Sequence, residues 1–346
     1  LPVTVFAEPS GIACNSYEMW ETDLDIAKSL GLNTYRFGIE WSRIEPEEGV
    51  FSQEALDHYS DIVGGCLARG LEPLVTYNHF VAPLWFTARG GWLAPDSAEL
   101  FARYCTRVTQ VIGERINWAM TLNEPNIRNI LNYAGLPDFV EGISRKMLQE
   151  AENALGVEKV RGVQFFFPED NEIMLSALVA AHHAGRAAIK AVGDHINVGL
   201  GLAMMDDVAI GEAPMLDAKR RECYEPWFAV AKHSDFIGVQ NYSRAIFGPE
   251  GLIHPPEGSP MNQGGEETYP PSLANCVRYA YGQTRVPVFI TEHGLSTLDD
   301  RKRAEFIPAS LAHLHDVVES GVPVIGYCHW SLLDNFEWVA GYVPKF

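Results

Sequence analysis

Apolar residues along the chain follow two alternating patterns, one helical and one extended. Apolar residues spaced three or four apart predict helices that begin at Asn15 or Ser16, at Ser52, and at Asp96 or Ser97, where a side-chain oxygen can cap the first turn. The first of these helices presents an apolar face listed as Trp20, Leu24, Ala27 and Leu30, and Gly31 ends it. A less regular stretch begins at Asn126 and leads to an Ala-rich helix predicted over 173–192.

Short β-branched runs between these helices predict strands. The seven predicted strands are 33–39, 73–77, 116–123, 196–202, 235–242, 286–291 and 322–329. Strands that alternate with helices are typical of a parallel sheet covered by helices. Seven strands fit either a doubly wound sheet or a (β/α)8 TIM barrel that lacks its first strand. Since no linker or repeat interrupts the pattern, we expect a single domain over 1–346.

Composition excludes several classes of protein. The 346 residues are 47% hydrophobic, which is enough for a large core. Acidic residues outnumber basic ones by 45 to 26, and the net charge of −19 disfavours nucleic acid or an anionic membrane as partner. No apolar run approaches the roughly 18 residues of a membrane helix. Neither nucleic acid nor a membrane is therefore expected as a partner.

Cysteine spacing bears on the cellular compartment. The six cysteines are Cys14, Cys66, Cys105, Cys223, Cys276 and Cys328. They are far apart and contain no CxxC pair, which indicates free thiols and not a disulfide framework. The opening residues also lack the basic and apolar regions of a signal peptide. We therefore expect a cytoplasmic protein.

Two glutamates directly follow or end predicted strands. Glu124 follows strand 116–123, and Glu292 follows strand 286–291. In a (β/α)8 barrel the carboxyl ends of the strands form the active-site rim, where a carboxylate is costly unless it is paired or used. Glycoside hydrolysis needs two such carboxylates, one as an acid and one as a nucleophile or base. The pattern therefore points to this chemistry.

Several motifs around these glutamates resemble glycoside hydrolase family 1, the β-glucosidase family. The stretches that carry the resemblance are Tyr35-Arg36-Phe37, Trp41-Ser42-Arg43-Ile44, 121–126, 235–242, 290–294 and 330–338. They are distributed over almost the whole chain, and the last, Trp330 to Trp338, is the most specific. The resemblance implies a (β/α)8 barrel and a retaining mechanism.

The resemblance also implies roles for the catalytic groups. Glu124 matches the acid/base and Glu292 the nucleophile, and retention requires their carboxyl groups to lie about 5–5.5 Å apart. Asn123 matches the residue that holds the sugar 2-hydroxyl. Tyr242 matches the tyrosine that hydrogen-bonds the nucleophile, and Arg36 the arginine that keeps it ionised.

A second group of matches concerns sugar binding. His79, Glu337 and Trp338 match positions that bind the outer hydroxyls, and Trp330 matches the aromatic platform for the sugar ring. Gln240 stands in the same set of substrate-binding positions. A carboxylate at Glu337 would repel a sugar phosphate, so we expect an unphosphorylated sugar. The function implied is a retaining exo-β-glycosidase, by default a β-glucosidase that accepts substrates such as cellobiose.

Some features depart from the family pattern. No segment before Leu1 supplies the glutamine of the family's first strand, and the chain stops at Phe346, where relatives continue. Gln240 and His293 stand where asparagines are commoner. We therefore expect that the sequence omits residues of a longer natural chain.

Two other functions fit parts of the pattern. A non-catalytic sugar-binding barrel with a decayed site would keep the fold, although both glutamates are present. A β-1,4-glycanase of a related barrel family would share the triplet Asn123-Glu124-Pro125, although the 330–338 motif argues against it. Gly199-Leu200-Gly201 lacks the third glycine of a dinucleotide loop, and His182-His183 has no partner at metal-ligand spacing, so we expect neither a cofactor nor a metal.

Overall fold

The structure is a computed structural model that describes residues 8–135, 137–157, 160–161, 164 and 166–346. The strands in chain order are β1 Thr34–Gly38, β2 Glu72–Asn78, β3 Trp118–Asn123, β4 Asn197–Ala203, β5 Asp206–Ala209, β6 Phe236–Asn241, β7 Arg244–Gly248, β8 Gly251–Ile253, β9 Val288–His293 and β10 Val324–Tyr327. The helices are α1 Ser16–Ser29, α2 Trp41–Ile44, α3 Gln53–Ala68, α4 Leu84–Ala88, α5 Ser97–Ile112, α6 Ile127–Tyr133, α7 Pro137–Leu155, α8 Asn171–Val192, α9 Pro214–Lys219, α10 Glu225–Ala231, α11 Ser272–Thr284 and α12 Asp300–Glu319.

The chain divides into two compact units. The N-terminal unit consists of Met19–Arg128 and Asp138–Gly201. The C-terminal unit consists of Leu1–Glu18, Asn129–Pro137 and Leu202–Phe346. Each unit is built on parallel strands with helices between them, as the alternating sequence pattern predicts.

In the N-terminal unit, strands β1, β2, β3 and β4 lie side by side and parallel. Gly38 pairs with Thr76, and Asn123 pairs with Gly201. This pairing brings the carboxyl ends of the strands to the same edge. The interior residues of β2 and β3 are buried, as the apolar runs predict.

Helices pack closely on this sheet where glycine allows it. The Ser52 side chain accepts a hydrogen bond from the Ala55 backbone N–H at 3.2 Å and so caps α3 as expected. Helix α8 crosses α5 at Gly185, where a Cβ atom would lie 2.7 Å from the Phe101 ring. Any larger residue at this position would therefore push the two helices apart.

In the C-terminal unit, β6, β9 and β10 form the parallel sheet. Gln240 pairs with Glu292 across β6 and β9, and Ile290 pairs with Tyr327 across β9 and β10. A second, three-stranded sheet has β7 at its centre, with β5 parallel on one side and β8 antiparallel on the other.

The predicted strands are confirmed: β1, β2, β3, β4, β6, β9 and β10 lie within or beside the seven predicted ranges. The expected apolar face of α1 is wrong at Leu30, which is 64% exposed just beyond the end of the helix. Asp96 does not cap α5, because its carboxylate accepts a hydrogen bond from Arg89 at 2.6 Å instead. The sequence pattern missed α7 and the three-stranded sheet.

The cysteines are free thiols as predicted, and all six lie in the described part of the chain. Four are buried, whereas Cys14 and Cys328 are partly exposed. Burial raises the pKa of the Cys66 thiol to about 12, so this sulfur stays protonated and unreactive. Within the described ranges, no helix combines the length and the apolar character that crossing a membrane requires.

A buried ion pair in the C-terminal unit gives a prediction about stability. Lys219 of α9 is fully buried, and its Nζ lies 2.6 Å from Oδ1 of Asp207 on β5. Lys219→Met would leave a buried carboxylate without its partner, which costs about 3–5 kcal/mol of unfolding free energy. Urea unfolding of the purified variant measures this loss.

The control is the double variant Lys219→Met with Asp207→Asn, which removes both charges. We expect it to be more stable than Lys219→Met alone, because no unpaired charge remains. Simple addition of the two single losses would contradict this account of the pair.

Candidate active site

The predicted residues of the N-terminal unit lie within β1 and at the carboxyl ends of β2 and β3. Arg36 of β1 donates from Nε to Thr76 Oγ1 at 3.1 Å and from Nη2 to Asn123 Oδ1 at 2.5 Å. Asn123 is the last residue of β3 and is buried. Arg36 therefore fixes the orientation of the Asn123 amide.

Glu124 follows β3 in an unusual backbone conformation. Its φ of 42° lies in the left-handed region, which costs a non-glycine residue about 1 kcal/mol. The Glu124 N–H donates to the carbonyl of Gly201 at 2.8 Å, and its carbonyl accepts from Gln164 at 3.2 Å. These two bonds hold the strained backbone in place, and the residue is 9% exposed. Strain that is held in this way is commonest at functional positions.

His79 follows β2 and packs edge-on against Phe80, with ring centroids 4.9 Å apart. Removal from water and the charge of Arg36 lower the pKa of His79 to about 3. The imidazole is therefore neutral near pH 7. A neutral imidazole carries one hydrogen-bond donor and one acceptor, which suits adjacent sugar hydroxyls.

In the C-terminal unit, Tyr242 and Glu292 are joined by a hydrogen bond. Glu292 is the penultimate residue of β9 and is 5% exposed, and Tyr242 directly follows β6. The Tyr242 hydroxyl donates to Glu292 Oε2 at 2.7 Å. Gln240 lies opposite Glu292 in the strand pairing and is buried. The bond orients the carboxylate and leaves Oε1 as the oxygen that the tyrosine does not engage.

Trp330 and Glu337 form the second joined pair of this unit. The Trp330 indole N–H donates to Glu337 Oε1 at 3.0 Å. Burial raises the pKa of Glu337, the indole hydrogen bond opposes this, and the nearby charge of Glu292 adds to it. Trp338, the next residue, lies in the left-handed region with a φ of 46° and is 39% exposed. A flat indole next to a half-buried carboxylate is an arrangement that can bind a sugar.

Sequence reasoning missed one aromatic residue beside this group. The Phe346 ring meets the Tyr242 ring edge-on, with centroids 5.6 Å apart. The Phe346 segment is anchored because the Thr297 N–H donates to the carbonyl of Lys345 at 2.8 Å. No periodic pattern marks Phe346, since its neighbours come from distant parts of the chain.

Sequence reasoning also missed how closely the loop after β9 approaches Trp330. A Cβ atom on Gly294 would lie 1.9 Å from the carbonyl oxygen of Trp330. Only glycine fits there, so Gly294 allows Trp330 to lie against the strand end that carries Glu292.

The structure thus joins Arg36 to Asn123 in one unit and, in the other, Tyr242 to Glu292 and Trp330 to Glu337. His182 is buried, and its Nδ1 lies 2.7 Å from the Thr121 hydroxyl, which makes it a packed core histidine. Among the described residues, no group of three or more His, Cys, Asp or Glu side chains could hold a metal ion.

Comparison with known proteins gives consistent results. The family profile described as glycosyl hydrolase family 1 matches residues 4–165 and 256–346. A β-glucosidase of Agrobacterium sp. is 28% identical over 100% of this chain and 82% of its own length. The cytosolic β-glucosidase of Homo sapiens is 28% identical over 99% of this chain and 83% of its own length.

Solved structures give the same result at higher identity. The β-glycosidase BGL167 is 40% identical with a TM-score of 0.93, over 100% of this chain and 84% of its own. The β-glucosidase 1317 is 34% identical with a TM-score of 0.94, over 100% of this chain and 85% of its own. The fold class is therefore the predicted (β/α)8 barrel, and the described residues contribute seven of its parallel strands.

The close approach at Gly294 gives a prediction. Gly294→Ala places a methyl group against a backbone oxygen that cannot rotate away, so the strand end or Trp330 must move. We expect at least about a 100-fold loss of activity, because displacement of a site by about 1 Å costs that much. Steady-state kinetics and thermal unfolding measure the effect.

Gly282→Ala in α11 is the matched control, since its Cβ would meet no atom within 4 Å. This helical substitution should stabilise by about 0.5–1 kcal/mol and leave activity unchanged. Wild-type activity in Gly294→Ala would contradict the steric argument.

Proposed function

The chain belongs to glycosyl hydrolase family 1 and is a glycoside hydrolase, and on this premise we propose that it is a retaining exo-β-glycosidase that removes terminal β-D-glucosyl residues. The observation that carries the proposal is the buried Glu292 carboxylate at the end of β9, held by the Tyr242 hydroxyl at 2.7 Å. A desolvated, oriented carboxylate is what a glycosyl-enzyme intermediate needs as its nucleophile.

In the proposed first step, Glu292 attacks the anomeric carbon while Glu124 gives its proton to the leaving oxygen. The bond to the aglycone breaks, and an ester forms between the sugar and Glu292. In the second step, Glu124 takes a proton from water, the water oxygen attacks the anomeric carbon, and Glu292 leaves as a carboxylate. Two inversions at the same carbon retain the β configuration.

The 2-hydroxyl of the sugar is assigned to Asn123. The Arg36 bond to Asn123 Oδ1 supports this role, because it fixes the amide before the sugar arrives. A contact with the 2-hydroxyl strengthens as the oxocarbenium-like transition state forms. Arg36 thus has two proposed roles. Its hydrogen bond orients Asn123, and its positive charge acts on the nucleophile.

The remaining hydroxyls and the apolar face of the sugar are assigned to a second group of residues. This group is His79, Gln240, Trp330, Glu337 and Trp338. The bond between Trp330 and Glu337 supports the assignment, since it places a stacking surface beside a hydroxyl-binding carboxylate. The negative charge of Glu337 disfavours a phosphorylated sugar.

Glucose is the proposed sugar because the named relatives from Agrobacterium sp. and Homo sapiens are β-glucosidases. Small β-glucosides, cellobiose among them, are the proposed substrates. We propose that residues 1–346 act as one catalytic domain and that the enzyme works in the cytoplasm. The free thiols and the cytosolic human relative support that location.

Covalent trapping tests the assignment of the nucleophile. The reagent is a 2-deoxy-2-fluoro-β-glucoside with a dinitrophenolate leaving group. Its fluorine slows both steps, whereas the activated leaving group speeds up the first, so the glycosyl-enzyme accumulates. We expect one adduct per chain, located on Glu292 by peptide mapping. An adduct on a different residue, or none on folded enzyme, would refute the assignment.

Two variants separate the carboxylates in the same assay. Glu292→Gln should take up no label. Glu124→Gln should still be labelled on Glu292, because dinitrophenolate leaves without a proton. Equal loss of labelling in both variants would contradict distinct roles.

The raised pKa of Glu337 gives a prediction about pH. Sugar hydroxyls donate to the ionised carboxylate, and the protonated form has lost this charge. Because burial raises the pKa, protonation begins at a higher pH than for an ordinary glutamate near about 4.3. KM for an aryl β-glucoside should therefore rise as the pH falls through this raised value.

Glu337→Gln is the control, since it is close in shape and does not titrate. Its KM should be higher than that of the wild type and should not show this acid rise between about pH 4 and about pH 8. If the variant keeps the wild-type rise, another group is responsible.

A further inference from the structure

A tyrosine and two histidines form a hydrogen-bond chain behind the strand ends of the C-terminal unit. His293 is the last residue of β9, Tyr327 is the last residue of β10, and His329 follows two residues later. The Tyr327 hydroxyl lies 2.9 Å from His293 Nδ1 and 2.9 Å from His329 Nδ1. One phenol thus joins two imidazoles.

The single hydrogen of the Tyr327 hydroxyl restricts the two rings. The hydroxyl donates to one Nδ1 and must accept from the other. When both histidines are neutral, one carries its proton on Nδ1 and the other on Nε2. Both hydrogen bonds of Tyr327 are therefore formed only when His293 and His329 are opposite tautomers.

Burial keeps the rings neutral. His293 is fully buried and stacks on Phe306 of α12, with centroids 5.2 Å apart and planes at 23°. Removal from water, together with the charge that His329 would carry, lowers the pKa of His293 to about 3. Removal from water and the Arg303 guanidinium of α12 lower the pKa of His329 to about 4.

Two further titratable groups adjoin these rings in the sequence. Neighbouring groups are Glu292 before His293 and Cys328 before His329, and burial raises the pKa of Tyr327 so that its phenol keeps its proton. The Nε2 atoms of both histidines are buried without a hydrogen-bond partner. The bonds through Tyr327 are therefore the polar contacts that hold the two rings.

The position of the chain connects it to the proposed reaction. His293 is bonded covalently to Glu292, and His329 to Trp330. The backbone N–H of Trp330 also donates a hydrogen bond to the backbone carbonyl of His293 at 2.9 Å. This bond lies next to the close approach between Gly294 and Trp330. The hydrogen bonds through Tyr327 and this backbone bond therefore both tie the segment that carries Glu292 to the segment that carries Trp330.

We propose that His293, Tyr327 and His329 are positioning residues that hold the nucleophile Glu292 in register with the sugar platform Trp330. The proposal rests on the proposed function for the roles of Glu292 and Trp330. The hydrogen-bond chain of His293, Tyr327 and His329 does not itself touch the substrate in this proposal. It keeps the reacting oxygen in line with the anomeric carbon of a sugar that lies on the indole.

Matched substitutions separate hydrogen bonding from packing. Tyr327→Phe keeps the ring and removes both hydrogen bonds. His293→Phe keeps the stack on Phe306 without a polar atom, whereas His293→Asn gives up the stack but keeps a polar group near the Nδ1 position. Kinetics with an aryl β-glucoside and thermal unfolding are measured for each variant.

We expect Tyr327→Phe and His293→Phe to lower kcat by about tenfold or more while KM changes by less than about threefold. This pattern is expected when the reacting groups lose their alignment but the substrate still binds. His293→Asn should recover most of this loss. Unchanged kcat in folded Tyr327→Phe, or an equal loss in His293→Asn and His293→Phe, would overturn the proposal.

A measurement on the wild-type enzyme needs no substrate. In ¹⁵N NMR spectra of histidine-labelled protein near neutral pH, His293 and His329 should be neutral and opposite tautomers, with His293→Asn used for assignment. Tyr327→Phe should abolish this pairing. Identical tautomers or a charged ring in the wild type would refute the hydrogen-bond chain through Tyr327 and, with it, the proposal.

The two measurements distinguish the failure of this proposal from the failure of the proposed function. If the fluoro-glucoside labels Glu292 but kcat is unchanged in Tyr327→Phe, only the positioning role is refuted. If opposite tautomers are found but Glu292 takes up no label, the assignment of the nucleophile fails, and the positioning role for it fails with it.

Discussion

Backbone hydrogen bonds between parallel strands are the interaction on which the rest of the structure depends. In the N-terminal unit they place Thr76 and Asn123 within reach of one guanidinium, that of Arg36. In the C-terminal unit they place Gln240 opposite Glu292. A slip of one residue would turn each side chain to the other face of its sheet, so the pairing and the chemistry are specified together.

Because the side chains at these strand ends are removed from water, their polar groups need hydrogen-bond partners within the protein. A polar or charged group removed from water is costly unless it gains a partner, and each joined pair here supplies one. Tyr242 does so for Glu292, and Trp330 does so for Glu337. The partners are a phenol and an indole, which are neutral hydrogen-bond donors.

The sequence was sufficient for the features that depend on local pattern. Strands β2 and β3 are short segments rich in apolar residues and are buried almost throughout, and the Ser52 cap has a local cause, so these features were predictable. Polar residues after strands identified Glu124 and Glu292 without any coordinates. The family resemblance, and not periodicity, supplied the candidate roles of His79 and Gln240.

The missed features depend on contacts between distant residues. Strand β8 has only three residues and pairs across a tight turn, so it leaves almost no period to detect. Leu30 looks like part of an apolar face, but the helix ends before it. The contact of Phe346 with Tyr242 joins residues 104 positions apart, 346 − 242, and no local pattern encodes such a pair. The phenol shared by His293 and His329 became visible only once the ends of β9 and β10 were placed side by side.

The left-handed backbone at Glu124 lowers stability at the residue that is proposed as the acid/base. Glycine adopts this conformation without steric cost, so exchanging the glutamate for glycine would relieve about 1 kcal/mol of strain. A laboratory selection that rewards only resistance to heat would therefore favour chains without this carboxylate. Variants selected for heat resistance should therefore be assayed for turnover in every round, because the exchange that relieves this strain also removes the proposed acid/base.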